Sequence, residues 1–187
     1  RIVYANPCKP PAHLAYAAHA GIRLHAFDSE CELEKTAQLA PRAQLLLRIA
    51  VDDAKAQCAL SNKYGAAMHE VPAVLATAER LGLHVRGVSF HVGSGCYDPS
   101  AYADAVARAD EVFAHARAPM DVLDVGGGFP GVDTPALAFG DVAAVLRSAL
   151  DARFPAERAV RIIAEPGRYF AASASTLATS VIGTKHI

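Results

Sequence analysis

Residues 120–131 read Met-Asp-Val-Leu-Asp-Val-Gly-Gly-Gly-Phe-Pro-Gly, an apolar run that stops at three consecutive glycines. The apolar part is typical of a buried parallel strand. The glycines carry no Cβ, so their backbone N–H groups can approach an anion such as phosphate closely. The same glycines could equally form only a tight turn, because a glycine run is a weak motif by itself. The rest of the chain has to decide between these two interpretations.

Length and composition limit the class of protein. The chain has 187 residues, 52% of them hydrophobic, which is enough to bury a sizeable core. Lys plus Arg (18) balance Asp plus Glu (19), so no basic field favours nucleic acid or an anionic membrane. The four cysteines are scattered without metal-ligand spacing, which favours reduced thiols. We therefore expect a cytoplasmic protein with a small-molecule partner, no nucleic acid, no membrane span and no metal.

Apolar runs alternate with helical patterns along the chain. Ser29 and Glu32 have the spacing of a helix capping box. Residues 52–65 lack periodicity and are interpreted as a functional loop, while the apolar residues 169–182 fit a helix, a strand or both in succession. Strands are predicted at residues 2–5, 23–27, 44–51, 84–90, 122–125 and 161–164. Helices are predicted at residues 11–20, 29–40, 71–81, 98–116 and 141–154.

This alternation predicts the α/β class, with a parallel sheet covered by helices. A closed (β/α)8 barrel needs about 250 residues. The chain would therefore supply about six of the eight βα units of a TIM-type barrel. It begins at Arg1 without a methionine and both ends look cut, so we expect one barrel domain, residues 1–187, incomplete at both ends. An open doubly wound sheet is the alternative.

Chemically distinctive residues follow the carboxyl ends of the predicted strands, which share one face of a barrel. His91 could be a core histidine satisfied by a backbone carbonyl, but Gly93 and Gly95 flank Ser94 nearby and favour a second anion site. Glu165 could mark a solvent-facing strand end. A carboxylate that follows the apolar run of residues 161–164 is instead expected to be partly buried and to seek a cation.

Arg168 has two possible roles. It could form a salt bridge with Glu165, or it could bind a phosphate instead. A pocket for a phosphorylated basic heterocycle needs groups of the kinds found here: two glycine-rich anion sites, a histidine ring and a carboxylate. Pyridoxal 5′-phosphate fits, because a carboxylate keeps its pyridine nitrogen protonated and a protonated ring is the stronger electron sink.

Six motifs resemble the eukaryotic-type ornithine decarboxylases, which are group IV pyridoxal-phosphate decarboxylases with an alanine-racemase-like barrel. The resemblance covers the whole chain. The motifs are Tyr4-Ala5-Asn6-Pro7-Cys8-Lys9, Phe27-Asp28-Ser29-Glu30, Leu47-Arg48-Ile49-Ala50, Ser89-Phe90-His91-Val92-Gly93-Ser94-Gly95-Cys96, Gly126 to Gly131, and Ile163-Ala164-Glu165-Pro166-Gly167-Arg168-Tyr169.

The resemblance implies that pyridoxal phosphate is the cofactor and that His91 stacks on its ring. It implies a phosphate site around Ser94, the glycines up to Gly128 and Arg168, with Glu165 on the pyridine nitrogen. Catalytic roles are predicted for His91 and Glu165. The predicted cofactor-binding residues are Arg48, His91, Ser94, Gly126, Gly127, Gly128, Glu165, Gly167 and Arg168.

The implied activity of the full-length protein is decarboxylation of L-ornithine to putrescine and CO2. The family's Schiff-base lysine precedes Arg1, and its catalytic cysteine belongs to a C-terminal β domain after Ile187. We therefore expect this chain alone to be inactive. Alternatives are a related decarboxylase that acts on lysine, arginine or diaminopimelate, and a non-catalytic protein like antizyme inhibitor.

The resemblance also implies a homodimer when the protein is full length. It places the antizyme-binding element of the animal enzymes from about Tyr4 to Phe27. Lys9 and Arg23 supply positive charge there, although a solvated helix face explains them equally well.

Overall fold

The computed structural model describes residues 2–184, in which strands and helices alternate along the chain. The strands are β1 (Val3–Tyr4), β2 (Leu24–Phe27), β3 (Gln44–Arg48), β4 (Ala56–Cys58), β5 (His84–Ser89), β6 (Ser94–Cys96), β7 (Val122–Asp124) and β8 (Arg161–Ile163). The helices are α1 (Pro11–His19), α2 (Glu30–Leu39), α3 (Val71–Arg80), α4 (Ser100–His115), α5 (Phe139–Arg153) and α6 (Gly167–Ala171).

Six strands form one parallel sheet in the order β1-β2-β3-β5-β7-β8. Each successive unit adds its strand to the same edge, so the order never reverses as it does in a doubly wound sheet. This is the order of strands in part of a (β/α)8 barrel, and the predicted fold class is confirmed. The other two strands, β4 and β6, pair antiparallel in a separate ribbon.

The core lies between the sheet and its helices. Leu47, Val88 and Leu123 are paired in register across β3, β5 and β7, and all three are fully buried. They join one hydrophobic cluster with Leu14 of α1 and Val106 of α4. Burial of each such side chain contributes about 1.5–3 kcal/mol to stability. This layer fixes the strand ends that carry the site.

The next register row carries three polar residues and one isoleucine. Arg48, Ser89, Asp124 and Ile163 lie side by side across β3, β5, β7 and β8. Because neighbouring residues of a strand point to opposite faces, this row faces away from the helices. The polar row therefore lies inside the curve of the sheet, at the carboxyl ends of its strands.

The predicted loop at residues 52–65 contains regular structure. Ala56–Cys58 forms β4, in which Ala56 pairs with Cys96 and Cys58 with Ser94. A three-residue strand whose partner is distant in sequence gives no local pattern to detect. The ribbon places Ser94 beside the ends of the sheet.

The capping-box prediction for Ser29 and Glu32 is wrong. Ser29 makes no side-chain hydrogen bond to the start of α2. The Glu32 carboxylate instead pairs with Lys9 Nζ at 2.8 Å and also with Lys35. The Lys9 side chain is fully buried, and its ammonium also donates to the carbonyl oxygen of Ala26 at 2.6 Å. A buried cation needs a carboxylate partner, so Lys9 does not belong to a solvated helix face.

Two further boundaries differ from prediction. Helix α5 begins at Phe139, and the Asp141 carboxylate accepts a hydrogen bond from the Ala138 N–H at 2.8 Å. The apolar end of the chain enters the short helix α6, and residues 175–184 have neither helix nor strand. Of the helices in residues 2–184, none has the length and apolar character needed to cross a membrane.

Candidate cofactor site

The fold brings the predicted site residues together at the carboxyl ends of the strands. Arg48 ends β3, while His91 follows β5 and Ser94 begins β6. The three glycines follow β7, and Glu165 lies between β8 and α6. Because the strands are parallel, their carboxyl ends lie on the same side of the sheet, where barrel folds place their sites.

Backbone hydrogen bonds tie these strand ends together. The Phe90 N–H donates to the Asp124 carbonyl oxygen at 3.1 Å, and the Glu165 N–H donates to the Gly126 carbonyl oxygen at 2.7 Å. The Cys96 N–H donates to the Gly128 carbonyl oxygen at 2.8 Å. The segment after β7 is therefore the centre of the site and is bonded to the segments on both sides.

The glycines allow these segments to approach closely. A Cβ on Gly126 would lie 2.0 Å from the Phe90 carbonyl oxygen, and one on Gly128 would lie 2.4 Å from that of Gly93. A Cβ on Gly127 would lie 2.6 Å from the Glu165 carbonyl oxygen and 3.0 Å from His91 Nε2. Gly126 and Gly128 also have positive φ, at 62° and 99°. The glycines are therefore also needed because the loops approach each other closely. Sequence reasoning missed this second reason.

The amides of the candidate phosphate loop fall into two groups. The Gly126 N–H donates to Asp124 Oδ1 at 2.9 Å, and the Gly167 N–H donates to the Glu165 carbonyl oxygen at 2.8 Å. Within residues 2–184, the buried Gly127 and Gly128 donate to no protein acceptor. Buried N–H groups require an acceptor, and a phosphate oxygen can supply one. Gly126 and Gly167 would instead shape the loop.

His91 lies against Gly127 of the segment after β7. Its ring nitrogen Nδ1 is buried and has no hydrogen-bond partner among the described residues, so no backbone carbonyl satisfies it as a core histidine would require. Burial, aided by the positive charge of Arg48, lowers the pKa of His91 to about 4. The imidazole is therefore neutral near pH 7, which suits a ring that stacks on another ring.

Ser94 and Arg168 meet across the site. Arg168 Nε donates to Ser94 Oγ at 2.9 Å. No ion pair joins Arg168 to Glu165 within the described part of the chain. The guanidinium is therefore directed to the second glycine-rich segment, as the phosphate-binding alternative requires, and not to the carboxylate.

Glu165 differs from expectation. The sequence predicted partial burial, but Glu165 is exposed. Among the described residues β8 pairs on one side only, with β7, and Arg161 and Ile162 on it are also exposed. Its carboxylate lines the inner concave surface of the sheet together with Asp124 and Ile163.

Arg48 is held by its neighbours. Its guanidinium lies over the Tyr64 ring, 5.1 Å from the centroid. Burial lowers the pKa of Arg48, while Asp28 and, more weakly, Glu165 oppose that change. Arg48 therefore supplies the positive charge that acts on His91 from the floor of the site.

Sequence reasoning missed two polar residues of the same row. Asp124 is 1% exposed and Ser89 is 5% exposed. Asp124 Oδ2 and Ser89 Oγ are buried without a hydrogen-bond partner among the described residues. The sequence did contain a signal: Asp124 interrupts the otherwise apolar run at residues 122–125, and aspartate is rarely buried.

The residues present fit a phosphorylated heterocycle. Two amides and the Ser94–Arg168 pair provide donors for a phosphate, and His91 Nδ1 is a buried polar atom that lacks a partner among residues 2–184. The cradle between Gly127 and His91 would be filled by a single added Cβ. No group of three or more potential metal ligands occurs in the part of the chain described.

A partial (β/α)8 barrel with this site at its strand ends defines a class of barrel enzyme that binds pyridoxal phosphate. Residues 1–172 match the family described as "Pyridoxal-dependent decarboxylase, pyridoxal binding domain". The chain belongs to this family, which confirms the recognition made from the motifs and the prediction of pyridoxal phosphate as the cofactor.

Individual relatives agree with this assignment. Ornithine decarboxylase of Mus musculus is 49% identical over 190 residues, covering 100% of this chain and 41% of that protein. Antizyme inhibitor 2 of Xenopus laevis is 46% identical over 190 residues, covering 100% of this chain and 42% of that protein. The chain thus spans well under half the length of these relatives.

Among solved structures, the arginine decarboxylase of Paramecium bursaria Chlorella virus bound to agmatine superposes with a TM-score of 0.85 and 36% identity. The match covers 91% of this chain and 46% of that one.

Proposed function

We propose that the full-length protein is a pyridoxal-phosphate-dependent decarboxylase that converts L-ornithine to putrescine and CO2. The observation that carries this proposal is the convergence of His91, Glu165 and the Ser94–Arg168 pair at the carboxyl ends of the strands. The 49% identity to mouse ornithine decarboxylase supports ornithine over the longer or guanidinium-bearing substrates.

Each residue has a role that follows from its position. Arg168, Ser94 and the amides of Gly127 and Gly128 bind the phosphate by charge-assisted and backbone hydrogen bonds. Glu165 pairs with the pyridine nitrogen and keeps a proton on that atom. Bound pyridoxal phosphate supplies the sink for the electrons released when the bond to the carboxylate breaks.

His91 would act by orientation. Its neutral imidazole lies against Gly127, and a flat neutral ring can pack on the cofactor ring without repelling a protonated pyridine nitrogen. His91 would hold a bound cofactor in one orientation, which would limit the movement of the reacting groups.

The test uses the full-length protein. Absorption spectra would be recorded with pyridoxal phosphate before and after L-ornithine, with carboxyl-labelled ornithine and trapping of CO2. A cofactor band together with labelled CO2 and putrescine is expected. A band without CO2 contradicts ornithine as the substrate and leads to the same assay with lysine, arginine and diaminopimelate.

A second candidate is a non-catalytic protein like antizyme inhibitor, favoured by the 46% identity to the Xenopus antizyme inhibitor 2. Such a protein has no need of the donors and glycines assembled here. Absence of any cofactor band in the full-length protein would support this second candidate and overturn the first.

We also propose that antizyme binds the segment from Tyr4 to Phe27. Support comes from exposed residues on α1, among them Tyr16 at 71% exposure, and from exposed Arg23. Lys9 is buried and unavailable for such a contact. Tyr16→Ala is expected to weaken antizyme binding in a pull-down, whereas Lys9 should be excluded from the interface. Equal binding by parent and Tyr16→Ala would contradict this placement.

A homodimer and a cytoplasmic location complete the proposal. The four cysteines are free thiols, which suits a reducing compartment. Light scattering of the full-length protein is expected to give twice the monomer mass, and fractionation is expected to recover it in the cytosol. A monomeric mass or recovery in an oxidising compartment would overturn these points.

A further inference from the structure

The site contains a buried carboxyl group that the proposed function does not use. Asp124 is the last residue of β7 and is 1% exposed. One of its oxygens, Oδ1, accepts the Gly126 N–H at 2.9 Å. The other oxygen, Oδ2, is buried without a partner among the described residues. Buried polar atoms without partners are rare and call for a functional explanation.

Asp124 lies against Glu165. Both side chains line the same inner concave surface of the sheet. The Glu165 N–H is bonded to the Gly126 carbonyl oxygen, and the Gly126 N–H is bonded to Asp124, so one short stretch of backbone sets the two carboxyl groups relative to each other. Glu165 is exposed and Asp124 is buried, and the two carboxyl groups are close enough for Glu165 to act on Asp124.

The neighbours of Asp124 offer little to stabilise a negative charge. From β5 it faces the uncharged Ser89, and from β3 it faces Arg48. Arg48 interacts most strongly with Asp28, then with Glu165 and Tyr64, and least with Asp124. Burial, followed by repulsion from Glu165, raises the pKa of Asp124 well above its usual range.

We propose that Asp124 is a positioning residue for Glu165: its buried carboxyl group keeps a proton and donates it as a hydrogen bond to the Glu165 carboxylate. This inference rests on the proposed cofactor site. Glu165 would then remain ionised and would be held with its free oxygen toward the pyridine nitrogen. The proton stays on Asp124 throughout, and ionisation of Asp124 would place two repelling carboxylates side by side.

Asp124→Asn separates this role from a structural one. The asparagine amide can still accept the Gly126 N–H, and its NH2 group donates to Glu165 at every pH. Asp121→Asn is the matched control, because it makes the same change at the other end of β7, where Asp121 pairs with Arg86. Removal of one partner from that ion pair on the protein surface is expected to have little effect on the site.

The first measurement is the dissociation constant of pyridoxal phosphate for the full-length protein from pH 6 to pH 9.5. Ionisations of the cofactor itself cancel in the ratio of parent to Asp124→Asn. That ratio is expected to stay constant at low pH and then to rise about tenfold per pH unit once Asp124 in the parent loses its proton. A ratio that is flat over the whole range, or an asparagine variant that folds but binds no cofactor at low pH, would overturn the proposal.

The second measurement needs neither cofactor nor a folded variant. Infrared spectra of the full-length protein without cofactor are expected to show a protonated carboxyl band near pH 7 that is lost at alkaline pH. Absence of the band near neutral pH would overturn the proposal even if Asp124→Asn fails to fold. Conversely, a band that Asp124→Asn lacks, in a protein that binds no pyridoxal phosphate, would contradict the proposed function and leave the Asp124 proton established.

Discussion

Two parts of the site are built differently although each consists of a glycine-containing segment after a parallel strand. The inner wall comprises residues 91–96 and 126–128, and all three glycines that follow β7 are buried. The outer arm comprises residues 165–168, in which Glu165, Gly167 and Arg168 are exposed. The wall follows central strands of the sheet, whereas the arm follows its edge strand.

This difference separates function from stability. Glu165 and Arg168 of the arm are exposed in this chain, so their removal is expected to affect the chemistry more than the fold. Atoms of the wall are packed against backbone, so a change there disturbs both. Substitutions in the two parts should therefore give different patterns of activity and stability.

The largest effect is expected in the arm. Glu165→Ala removes the carboxylate that pairs with the pyridine nitrogen, so turnover should fall about 10²–10³-fold, as for loss of one preorganised electrostatic contact. Cofactor affinity should change far less, and the melting temperature should stay close to that of the parent. Steady-state kinetics and cofactor titration of the full-length protein measure both.

Glu157→Ala is the matched control for that prediction, because Glu157 is an exposed glutamate just before β8. Its turnover should equal that of the parent. If Glu165→Ala also keeps parental turnover, the proposed role of Glu165 is refuted.

The second effect concerns the phosphate end of the arm. Arg168→Ala should weaken pyridoxal phosphate binding by about 1.5–3 kcal/mol, because one charge-assisted hydrogen bond is lost. Pyridoxal without the phosphate should bind parent and variant alike, since Arg168 would not contact it. An equal loss of affinity for both ligands would mean that Arg168 supports the loop through Ser94 and does not contact phosphate.

Sequence reasoning found the elements of the fold because strands and helices have their own periodicities and glycines mark their ends. It also predicted His91, Ser94 and Arg168 as site residues, because they lie in or beside glycine-rich motifs, and the structure brings these three together. It missed Asp124 because one aspartate in a short apolar run does not interrupt the strand pattern. Its burial depends on β5 and β8 on either side, which are distant in sequence.

The errors have the same origin. The burial of Glu165 was misjudged because burial after a strand depends on the neighbours of that strand, and β8 pairs only with β7 among the described residues. Glu32 was assigned to a local cap because its partner, Lys9, approaches from another βα unit. Local signals therefore predict elements well, whereas charge pairing between elements requires the tertiary arrangement.

The third effect tests the wall. Gly127→Ala places a Cβ 2.6 Å from the Glu165 carbonyl oxygen, so backbone must move. Overpacking of this kind costs about 1–3 kcal/mol, and both stability and cofactor affinity should fall. Chemical denaturation and cofactor titration measure the two losses. Gly140→Ala is the control: no atom of residues 2–184 lies within 4 Å of its added Cβ, and this helical site should gain about 0.5–1 kcal/mol. If Gly127→Ala keeps the stability and the cofactor affinity of the parent protein, the wall is not tightly packed.

The smallest effect is the pH response of His91. Its pKa is lowered to about 4 in the folded chain, so the unfolded chain binds the proton more tightly below the ordinary value of 6.5. This contribution to stability is complete at pH 8 and is lost as the pH falls from 6.5 toward 4. Between pH 8 and pH 5.5 the loss of unfolding free energy should amount to about 1.4 kcal/mol.

The variant His91→Asn cannot titrate at this position. The difference in unfolding free energy between parent and His91→Asn should therefore change by that amount over the same pH range. The control is His13→Asn, at an exposed histidine, whose unfolding free energy should change with pH as that of the parent does. A gap that is constant with pH would mean that His91 takes up its proton normally and that the wall is open to water. The contrast between a buried wall and an exposed arm would then fail at its central residue.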